Sequence, residues 1–441
     1  MRNLKPTPRI LLNLALAISA TLLCNQDAGA RNLFVSPSGT GESGSSWESA
    51  WTEPAKINWK KVASGDQIYI DGGTSGITYN SSMTIPVGNV AIRQSVEPGH
   101  DGQIILSGAG TGLRQNPPIG IKFAASNIQI VAAKRSGIKL QSYATEAINI
   151  QTNGNYLANV EVNLLTGLPP MGQGRVAGLT FGGNNNQFLN CDFRDTLYGA
   201  VEKPVAGVTN VAGFRDCTFG SNYYGYYGQD GTGLVCSRTP LDVASPSIYL
   251  QGCVFGPFVN YGVDVADSNI VISKCLFLSA RTANLNFTPS AAGSGVVQLA
   301  NCTVYQKPII PGTRINAPMP QNAITCNGLG SLNVTNSVVY GGMVNVPPAQ
   351  VINGGGNIQY AVSGNTVAIA PRLVDPNFVD SATLSAAVAP TAFFPRILTT
   401  LNFSLAETKS RVAKGSLIVR VSDICPPYGP NSGIPTVFGG P

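Results

Sequence analysis

The sequence has few charged residues, a single histidine, no CxxC pair and, after residue 23, no long apolar run. Charged side chains make up 11% of the 441 residues, against about 25% in an ordinary soluble domain. With His100 as the only histidine, imidazole-rich metal sites and reactions that need two histidines are excluded. Zinc sites usually contain CxxC pairs, so their absence argues against structural zinc. No later segment is long and apolar enough to cross a membrane as a helix.

The charge balance is only mildly basic. The formal net charge is +6, and the basic residues are scattered along the chain rather than clustered. Nucleic-acid binding usually needs a concentrated basic patch. The balance therefore argues against a nucleic-acid partner and is compatible with an acidic polysaccharide.

Residues 1–30 are predicted to be a removable export signal. Basic residues precede an apolar run over 10–23, and Ala28-Gly29-Ala30 supplies the small residues of a cleavage site. The alternatives are an uncleaved anchor, for which the run is short, and a lipoprotein signal ending at Cys24. We expect the mature chain, without a transmembrane helix, to be secreted, periplasmic or held at the cell surface.

One short phrase containing cysteine recurs along the chain. It occurs as LNCDF at 189–193, RDCTF at 215–219, QGCVF at 251–255, SKCLF at 273–277 and ANCTV at 300–304. It continues without cysteine as TNSVV at 335–339 and, earlier, as ANVEV at 158–162. An apolar residue stands three places before the Cys position and another two places after it. The spacing between successive phrases has a minimum of 22 residues, which is typical of stacked coils with connections of unequal length.

The phrase predicts a strand, a tight turn and a second strand. Residues at the Cys position and two later share one face of a strand, whereas the apolar residue three earlier is out of phase. The chain must therefore bend between them, and one residue at the bend needs a positive φ. The residue before the Cys position is Asn, Asp or Gly in six of the seven phrases, and these types tolerate that conformation.

The repeated cysteines are predicted to be buried thiols. Stacked coils repeat every ~4.8 Å, which is further than the ~3.8 Å that separates the Cβ atoms of a disulfide. Cys191, Cys217, Cys253, Cys275 and Cys302, which we call the cysteine ladder, should therefore act as small apolar residues. Three further cysteines, Cys236, Cys326 and Cys425, lie outside the ladder, and a disulfide among them stays open.

These phrases and the start of the chain resemble the pectate-lyase-like superfamily of parallel β-helix proteins. The opening FVSPSGT at 34–40, followed by SW at 46–47, GDQIYI at 65–70 and GGT at 72–74, is similar to the start of many secreted members. DPNFVD at 375–380 is similar to the phrase where such helices often finish. The resemblance implies an all-β fold, a single-stranded right-handed parallel β-helix, over most of the mature chain.

The organisation that follows has four parts. Residues 1–30 are the signal, 31–88 an N-terminal strand and capping region, 89–380 the coils, and 381–441 a C-terminal cap with a tail rich in Pro and Gly. Within the second part, 53–62 is predicted to be a short amphipathic helix that caps the open end of the stack. Such a cap would cover apolar side chains and strand edges.

The longest coil, 217–253, carries the candidate ligand-binding residues. These are Tyr223, Tyr224, Tyr226, Tyr227 and Asp230. Aromatic faces stack against sugar rings, and tyrosine adds a hydroxyl for hydrogen bonding. The alternative is a loop rich in Gly and Tyr that packs on the outside of its own coil.

The resemblance also allows known chemistries to be tested. Polygalacturonase-like hydrolases need a histidine flanked by glycines, and PGHD at 98–101 departs from that pattern. Pectinesterases carry a phrase similar to RDTLY at 194–198, which makes Asp195 a catalytic candidate, but their second aspartate would fall at Tyr224. Pectate lyases use Arg-x-Pro-x-x-Arg; Arg238-Thr239-Pro240 matches in part, with Val243 where the second arginine belongs.

Two classes of function follow, and whether the protein is an enzyme stays open. The first is a non-catalytic β-helix protein that binds glycan or assembles at the cell surface. The second is a polysaccharide lyase of unrecognised subtype, for which Arg238 and Asp195 are the catalytic candidates. We expect no cofactor and no resident metal, with calcium required only if the protein is a lyase.

Overall fold

The computed structural model describes residues 29–108, 119–163, 177–194, 196–205, 208, 210–220, 231–236, 248–256, 260–266, 268–278, 280, 282–288, 296–306, 322–326, 331–340, 343–346, 348–354 and 358–360. Within these residues 33 strands, numbered β1 to β33 along the chain, form three parallel sheets. Helical structure there consists of three short 3₁₀ turns, Pro54–Lys56, Trp59–Lys61 and Pro348–Gln350.

Each sheet takes every third strand along most of the chain. Sheet A contains β1 (Asn32–Val35), β2 (Gln67–Ile70), β5 (Ala91–Gln94), β8 (Gln129–Val131), β11 (Tyr156–Ala158), β14 (Asn186–Leu189), β17 (Ala212–Arg215), β20 (Ile248–Gln251), β23 (Ile270–Ser273), β26 (Val296–Ala300), β29 (Ser331–Thr335) and β32 (Val351–Asn353). Sheet B contains β3 (Ile77–Tyr79), β6 (Ile104–Ser107), β9 (Ile138–Gln141), β12 (Val160–Asn163), β15 (Asp192–Arg194), β18 (Thr218–Gly220), β21 (Val254–Phe255), β24 (Leu276–Leu278), β27 (Thr303–Tyr305), β30 (Val338–Tyr340) and β33 (Ile358–Tyr360). Sheet C contains β4 (Met83–Ile85), β7 (Ile119–Phe123), β10 (Glu146–Ile150), β13 (Ala177–Phe181), β16 (Tyr198–Glu202), β19 (Thr232–Cys236), β22 (Tyr261–Val265), β25 (Ala283–Phe287), β28 (Asn322–Cys326) and β31 (Met343–Asn345).

Each coil adds one strand to each sheet, and equivalent residues of successive coils lie in register. In sheet B, for example, Phe193 of β15 is aligned with Phe219 of β18, which is aligned with Phe255 of β21. The inward side chains of the three sheets form one continuous apolar core. The predicted fold, a right-handed parallel β-helix, is confirmed.

The bend before the Cys position has the predicted left-handed conformation. The seven residues concerned have φ between 47° and 64°: Asn159, Asn190, Asp216, Gly252, Lys274, Asn301 and Asn336. Only two residues connect sheet A to sheet B in these coils from β14 onward, so the turn has no room for another geometry. Lys274 adopts it as well, although a left-handed residue with a side chain costs about 1–2 kcal/mol.

Side chains at this corner link successive coils. Asn190 Nδ2 donates a hydrogen bond to Asn159 Oδ1 over 2.6 Å, and Asn159 Nδ2 donates to the carbonyl oxygen of Ala132 over 2.8 Å. The asparagines therefore stabilise the left-handed turn and also bridge coils. Both roles suit a short amide side chain.

The cysteine ladder is internal, as predicted. All five side chains are at most 1% exposed and are free thiols. Cys217 Sγ lies 3.5 Å from the carbonyl oxygen of Phe188, and Cys253 Sγ lies 3.5 Å from that of Phe214. Burial raises the pKa of Cys191, Cys253 and Cys302, so these thiols stay protonated and behave as small apolar groups.

The cysteines outside the ladder are only partly described. Cys236 is a buried free thiol, and burial raises its pKa. Cys326 is 5% exposed, with its Sγ 3.6 Å from Gln350 Oε1. No disulfide joins these two residues, both of which lie in the described part of the chain, and Cys425 lies outside it.

The ladder predicts a clear result in thiol labelling. In the native protein the five ladder cysteines should stay unreacted with a maleimide, because each is closed inside the coil stack, and should react once denaturant is added. Mass spectrometry of labelled peptides would assign each site. Fast labelling of native Cys217 or Cys253 would contradict an internal ladder.

The phenylalanines that stand two places after the Cys position form an aromatic stack inside the helix. Phe219 stacks on Phe193 with ring centroids 5.3 Å apart and on Phe255 at 4.7 Å, and Phe255 stacks on Phe277 at 4.9 Å. The rings share one row of sheet B, where successive strands bring identical side chains together. This row fills the interior opposite sheet C.

Glycines in sheet C make room for that stack. A Cβ on Gly199 would come within 3.0 Å of the Phe219 ring and 2.5 Å of the Gly233 carbonyl oxygen. A Cβ on Gly262 would lie 3.4 Å from the Phe277 ring and 2.7 Å from a carbonyl oxygen of the next coil. The second residue of these strands is therefore glycine because both a backbone and a ring occupy the space of a side chain.

The N-terminal capping segment differs from the predicted helix. Instead of one helix over 53–62, it forms the two 3₁₀ turns Pro54–Lys56 and Trp59–Lys61. Ile57 between them has ψ of 122°, and the Asn58 side chain accepts a hydrogen bond from the next turn's backbone. An asparagine that bonds to nearby backbone competes with continuous helix.

The apolar side of this segment packs as expected of a cap. Ile57 is 4% exposed and Val62 is 8% exposed, and both belong to the core, with Trp59 packed against it. The segment therefore adds to the core although it forms turns rather than a helix.

Candidate functional site

From β3 onward, the longest connections between strands border sheet C. From β14 to β30, sheet A passes to sheet B through two residues in every coil. Connections into sheet C reach 16 residues between β27 and β28, and connections out of it reach 11 residues between β19 and β20. Long connections on a rigid scaffold are where binding residues concentrate. We therefore take the outer face of sheet C as the candidate site.

A polar row crosses the first half of this face. Lys122, Asn149 and Thr180 are register partners in β7, β10 and β13. Ile148 and Ile150, on either side of Asn149, belong to the core, so alternation turns Asn149 outward. Lys122 is exposed, whereas Thr180 is buried.

Glu146 is bonded from two sides next to this row. Its carboxylate accepts a hydrogen bond from Asn149 Nδ2 and lies 2.7 Å from the Nζ of Lys203, the residue that follows β16. Lys122 has no ion pair among the described residues. The arrangement thus offers an ammonium group and an amide to a ligand while the carboxylate is held by protein. The sequence signal was the polar residue inside the strands IGIKF and EAINI, which sequence reasoning passed over.

A second polar pair lies further along the same face. Asp264 of β22 and Asn286 of β25 are register partners, and Asn286 Nδ2 donates a hydrogen bond to Asp264 Oδ1 over 2.8 Å. Among the described side chains, no group of three or more His, Cys, Asp or Glu is arranged to hold a metal ion. The expected lack of a resident metal stays a prediction.

The ligand residues proposed from the sequence lie outside the described residues. Tyr223, Tyr224, Tyr226, Tyr227 and Asp230 belong to the segment between β18 and β19, the catalytic candidate Arg238 belongs to the segment between β19 and β20, and the other, Asp195, stands between Arg194 and Thr196. Since β16 and β19 belong to sheet C, all of these segments enter or leave that sheet.

Sequence reasoning missed a charged cluster on the outer face of sheet B. Arg135 precedes β9, and its guanidinium bonds the Asp192 carboxylate through Nε at 3.0 Å, Asn190 Oδ1 at 2.6 Å and Thr218 Oγ1 at 2.8 Å. Arg194 Nη2 lies 3.3 Å from the same carboxylate. The cluster joins the coils of β9, β15 and β18.

Asp192 is almost fully buried although it faces outward. It is 1% exposed, because the two arginines cover it. Burial alone would raise the pKa of Asp192, but Arg135 and Arg194 outweigh it and hold that pKa well below its usual range. The geometry is that of a clamp between coils, and its signal in the sequence was the acidic residue between Cys191 and Phe193.

The single histidine is part of a network at the start of the chain. The His100 ring stacks on Trp47 with centroids 4.1 Å apart, and its Nδ1 lies 3.0 Å from Asp71 Oδ1. Ser36 Oγ donates to the other oxygen of Asp71 over 2.7 Å. The aspartate stands between serine and histidine, so the order differs from that of a Ser–His–Asp triad, in which the histidine stands next to the serine. The network ties together the opening phrases rather than forming a nucleophile.

Asp216 interrupts the asparagines at the left-handed corner. Burial raises its pKa to about 6, against about 3.9 in an unfolded chain. A raised folded-state pKa means that this group favours folding while protonated, and that stability falls as pH rises from about 4 through about 6. Near neutral pH the buried carboxylate therefore costs stability.

Asp216→Asn should remove this cost. We expect the variant to match the wild type near pH 4 and to exceed its unfolding free energy by about 3 kcal/mol above pH 7, because asparagine keeps the left-handed turn without charge. Urea unfolding at a series of pH values measures the difference. A gain that is independent of pH would contradict the raised pKa.

The comparisons with known proteins concern the fold. The sequence matches no family model, and no curated protein matches it. Similar solved structures include a pectate lyase (14% identity, 87% of this chain and 91% of that chain, TM-score 0.46) and a rhamnogalacturonan lyase (12%, 79% and 91%, 0.43). A mannuronan C-5 epimerase A-module from Azotobacter vinelandii is also similar (14%, 81% and 92%, 0.40). Identities this low say nothing about chemistry.

Proposed function

We propose that the protein is an exported β-helix protein that binds a glycan chain against the outer face of sheet C. The observation that carries the proposal is the polar row on that face, where exposed Lys122 and half-buried Asn149 of successive coils stand side by side. Ammonium and amide groups are donors and acceptors that sugar hydroxyls and carboxylates use. A chain-like ligand suits a row that repeats from coil to coil.

The tyrosines proposed from the sequence stand in a segment that enters the same sheet. Tyr223, Tyr224, Tyr226, Tyr227 and Asp230 connect β18 of sheet B to β19 of sheet C. We propose that the tyrosine rings stack on sugar rings beside the face. Arg238, two residues after β19 ends, would approach from the other edge.

The second candidate is a polysaccharide lyase that uses this face. The exposed amine of Lys122, without an ion pair in the described part of the chain, is the observation in its favour. A lyase needs a basic group near the carbon that bears the acidic proton and cations to hold the adjacent carboxylate. Arg238 and Asp195 stay the catalytic candidates, with calcium as the added cation.

Export follows from the proposed signal over 1–30. In the described part of the chain, no helix has the length and apolar character needed to span a bilayer. We propose that the mature protein works outside the cytoplasm, in the periplasm, at the surface or in the medium. N-terminal sequencing of the exported protein would show whether cleavage follows Ala30.

Incubation with polysaccharides tests the proposal and separates its two forms. The mature protein would be mixed with polygalacturonate, alginate and uncharged dextran, with and without calcium, and both binding and unsaturated product would be followed. We expect binding of an acidic chain that weakens about tenfold in the Lys122→Ala, Asn149→Ala variant. The variant with all four tyrosines changed to alanine should lose binding as well.

Lys60→Ala is the matched control. It removes an exposed lysine from the turn Trp59–Lys61, which is not part of sheet C. It should bind as the wild type does. Unsaturated product that disappears in Arg238→Ala while binding persists would favour the lyase. Binding unaffected by the Lys122 and tyrosine variants would place the ligand elsewhere.

A further inference from the structure

The strands of sheet A contain no acidic residue. Their only charged side chains are Arg93 and Arg215, whereas sheet B contains Glu161 and Asp192 and sheet C contains three acidic residues. The surface of a soluble domain usually mixes both signs in about 25–35% of its residues. The outer face of sheet A is therefore distinct within this molecule in being weakly cationic and otherwise neutral.

Two tyrosines stand on this face in one register row. Tyr156, Gln187, Gly213 and Tyr249 are successive partners in β11, β14, β17 and β20. The residue that follows each of them along its strand belongs to the core (Leu157, Phe188, Phe214 and Leu250), and the residue before each is buried as well, so all four positions face outward. Three strand spacings of ~4.8 Å separate the tyrosines by ~14 Å, and both are half-buried.

Between the tyrosines the floor of the row is polar and flat. A Cβ on Gly213 would lie 2.5 Å from Gln187 Oε1, so the Gln187 amide lies across the glycine. Any other residue at Gly213 would push that amide away. The result is a planar amide between two aromatic rings.

Arg215 supplies the charge beside this row. It lies two residues after Gly213 on the same strand and face, and its side chain is 44% exposed. Its Nε lies 3.9 Å from Asp216 Oδ2 at the corner, a separation that leaves its other donors for a ligand. Exposed Gln251 is its register partner in β20.

We propose that the outer face of sheet A, at Tyr156, Gln187, Arg215 and Tyr249, is a second binding surface that takes an acidic glycan chain. Tyrosine rings stack on sugar rings, the amides bind hydroxyls, and the guanidinium binds a carboxylate in two-pronged fashion. A chain lying along the helix axis would contact both rings. The surface is separate from the face of sheet C and does not depend on the function proposed there.

Charge favours this occupant over a second copy of the protein. A two-fold pairing brings the same patch of both copies together, and Arg215 of one copy would then face Arg215 of the other, with no acidic residue in the strands of either sheet A and with Asp216 already beside the Arg215 of its own copy. Like charges across an interface disfavour association. A carboxylate-bearing chain has the complementary sign.

Binding would be measured by calorimetry with polygalacturonate and alginate, with dextran as the uncharged chain. The Lys122→Ala, Asn149→Ala variant serves as the starting protein, so that sheet A is tested without the polar row of sheet C. On that background we expect Tyr156→Ala with Tyr249→Ala to weaken acidic-chain binding about tenfold. Arg215→Gln should weaken it and reduce its salt dependence.

Lys60→Ala on the same background is the charge-matched control, and thermal melting would show that each variant is folded. Retained affinity in the folded tyrosine and Arg215 variants would overturn the proposal. So would equal affinity for dextran, or concentration-dependent self-association in sedimentation with no glycan bound. Loss of binding in both variants, with melting unchanged, is the supporting result.

Discussion

Phe219→Ala is expected to lower the free energy of unfolding by about 3–5 kcal/mol, the usual loss for a buried phenylalanine. Phe219 is fully buried, and its ring stacks between Phe193 and Phe255 and meets the edge of Phe214 at 5.6 Å. The coils on either side are held by backbone hydrogen bonds, so they cannot collapse into the space. The cavity and the lost stacking both contribute.

Tyr249→Ala is the matched control for this loss. It removes an aromatic ring from the outer face of a neighbouring coil, where the side chain is half-buried. We expect it to cost well under half as much, measured for both variants in one denaturant series with the slopes compared. Equal losses of unfolding free energy in the two variants would contradict the assignment of Phe219 to the interior and Tyr249 to the outer face.

The coil itself was predictable because its constraints are local. A left-handed residue, an inward side chain next to it and another two places on are all set within five residues. One coil illustrates this: Asn190 has the predicted left-handed conformation, and Cys191 and Phe193 are buried as predicted. Register between coils followed by aligning the phrase.

Features that depend on two distant segments were not predictable in this way. Arg135 and Asp192 are 57 residues apart, and the unequal connections hide the fact that they share a face. The glycine at Gly199 is explained by Phe219 of the following coil, which no local pattern reveals. The capping segment turned out as 3₁₀ turns because Asn58 bonds locally, although its apolar spacing is that of a helix.

Around the candidate site, the sequence predicts where a long connection lies but not which side chains stand on the sheet beside it. The long connection after β18 was recognised from coil length alone, and it does border sheet C. The polar residues on the face itself were not recognised, because Lys122 and Asn149 sit in strands whose alternation is also that of an ordinary solvent-facing sheet. Only the register shows that they stand side by side.

Asp192→Ala is expected to cost about 3–5 kcal/mol of unfolding free energy, as breaking a buried ion pair usually does. The substitution removes the carboxylate that the largely buried guanidinium groups of Arg135 and Arg194 contact. It also releases the link that Arg135 makes to Thr218 of the next coil. Replacing Arg135, Asp192 and Arg194 together by Met, Leu and Met should recover much of the loss, since no buried charge is then left unpaired.

The pH dependence of stability distinguishes this ion cluster from simple packing. The folded-state pKa of Asp192 is depressed, so its contribution is present above the unfolded value of about 3.9 and is lost as pH falls below it. The wild type should therefore lose unfolding free energy as the pH falls below about 4. Asp192→Asn should have a lower unfolding free energy at neutral pH, and that energy should fall less steeply in acid. Glu42→Gln, which removes an exposed carboxylate, should keep the steep fall. A steep fall that survives in Asp192→Asn would mean that other carboxylates govern acid unfolding and that the clamp acts through packing alone.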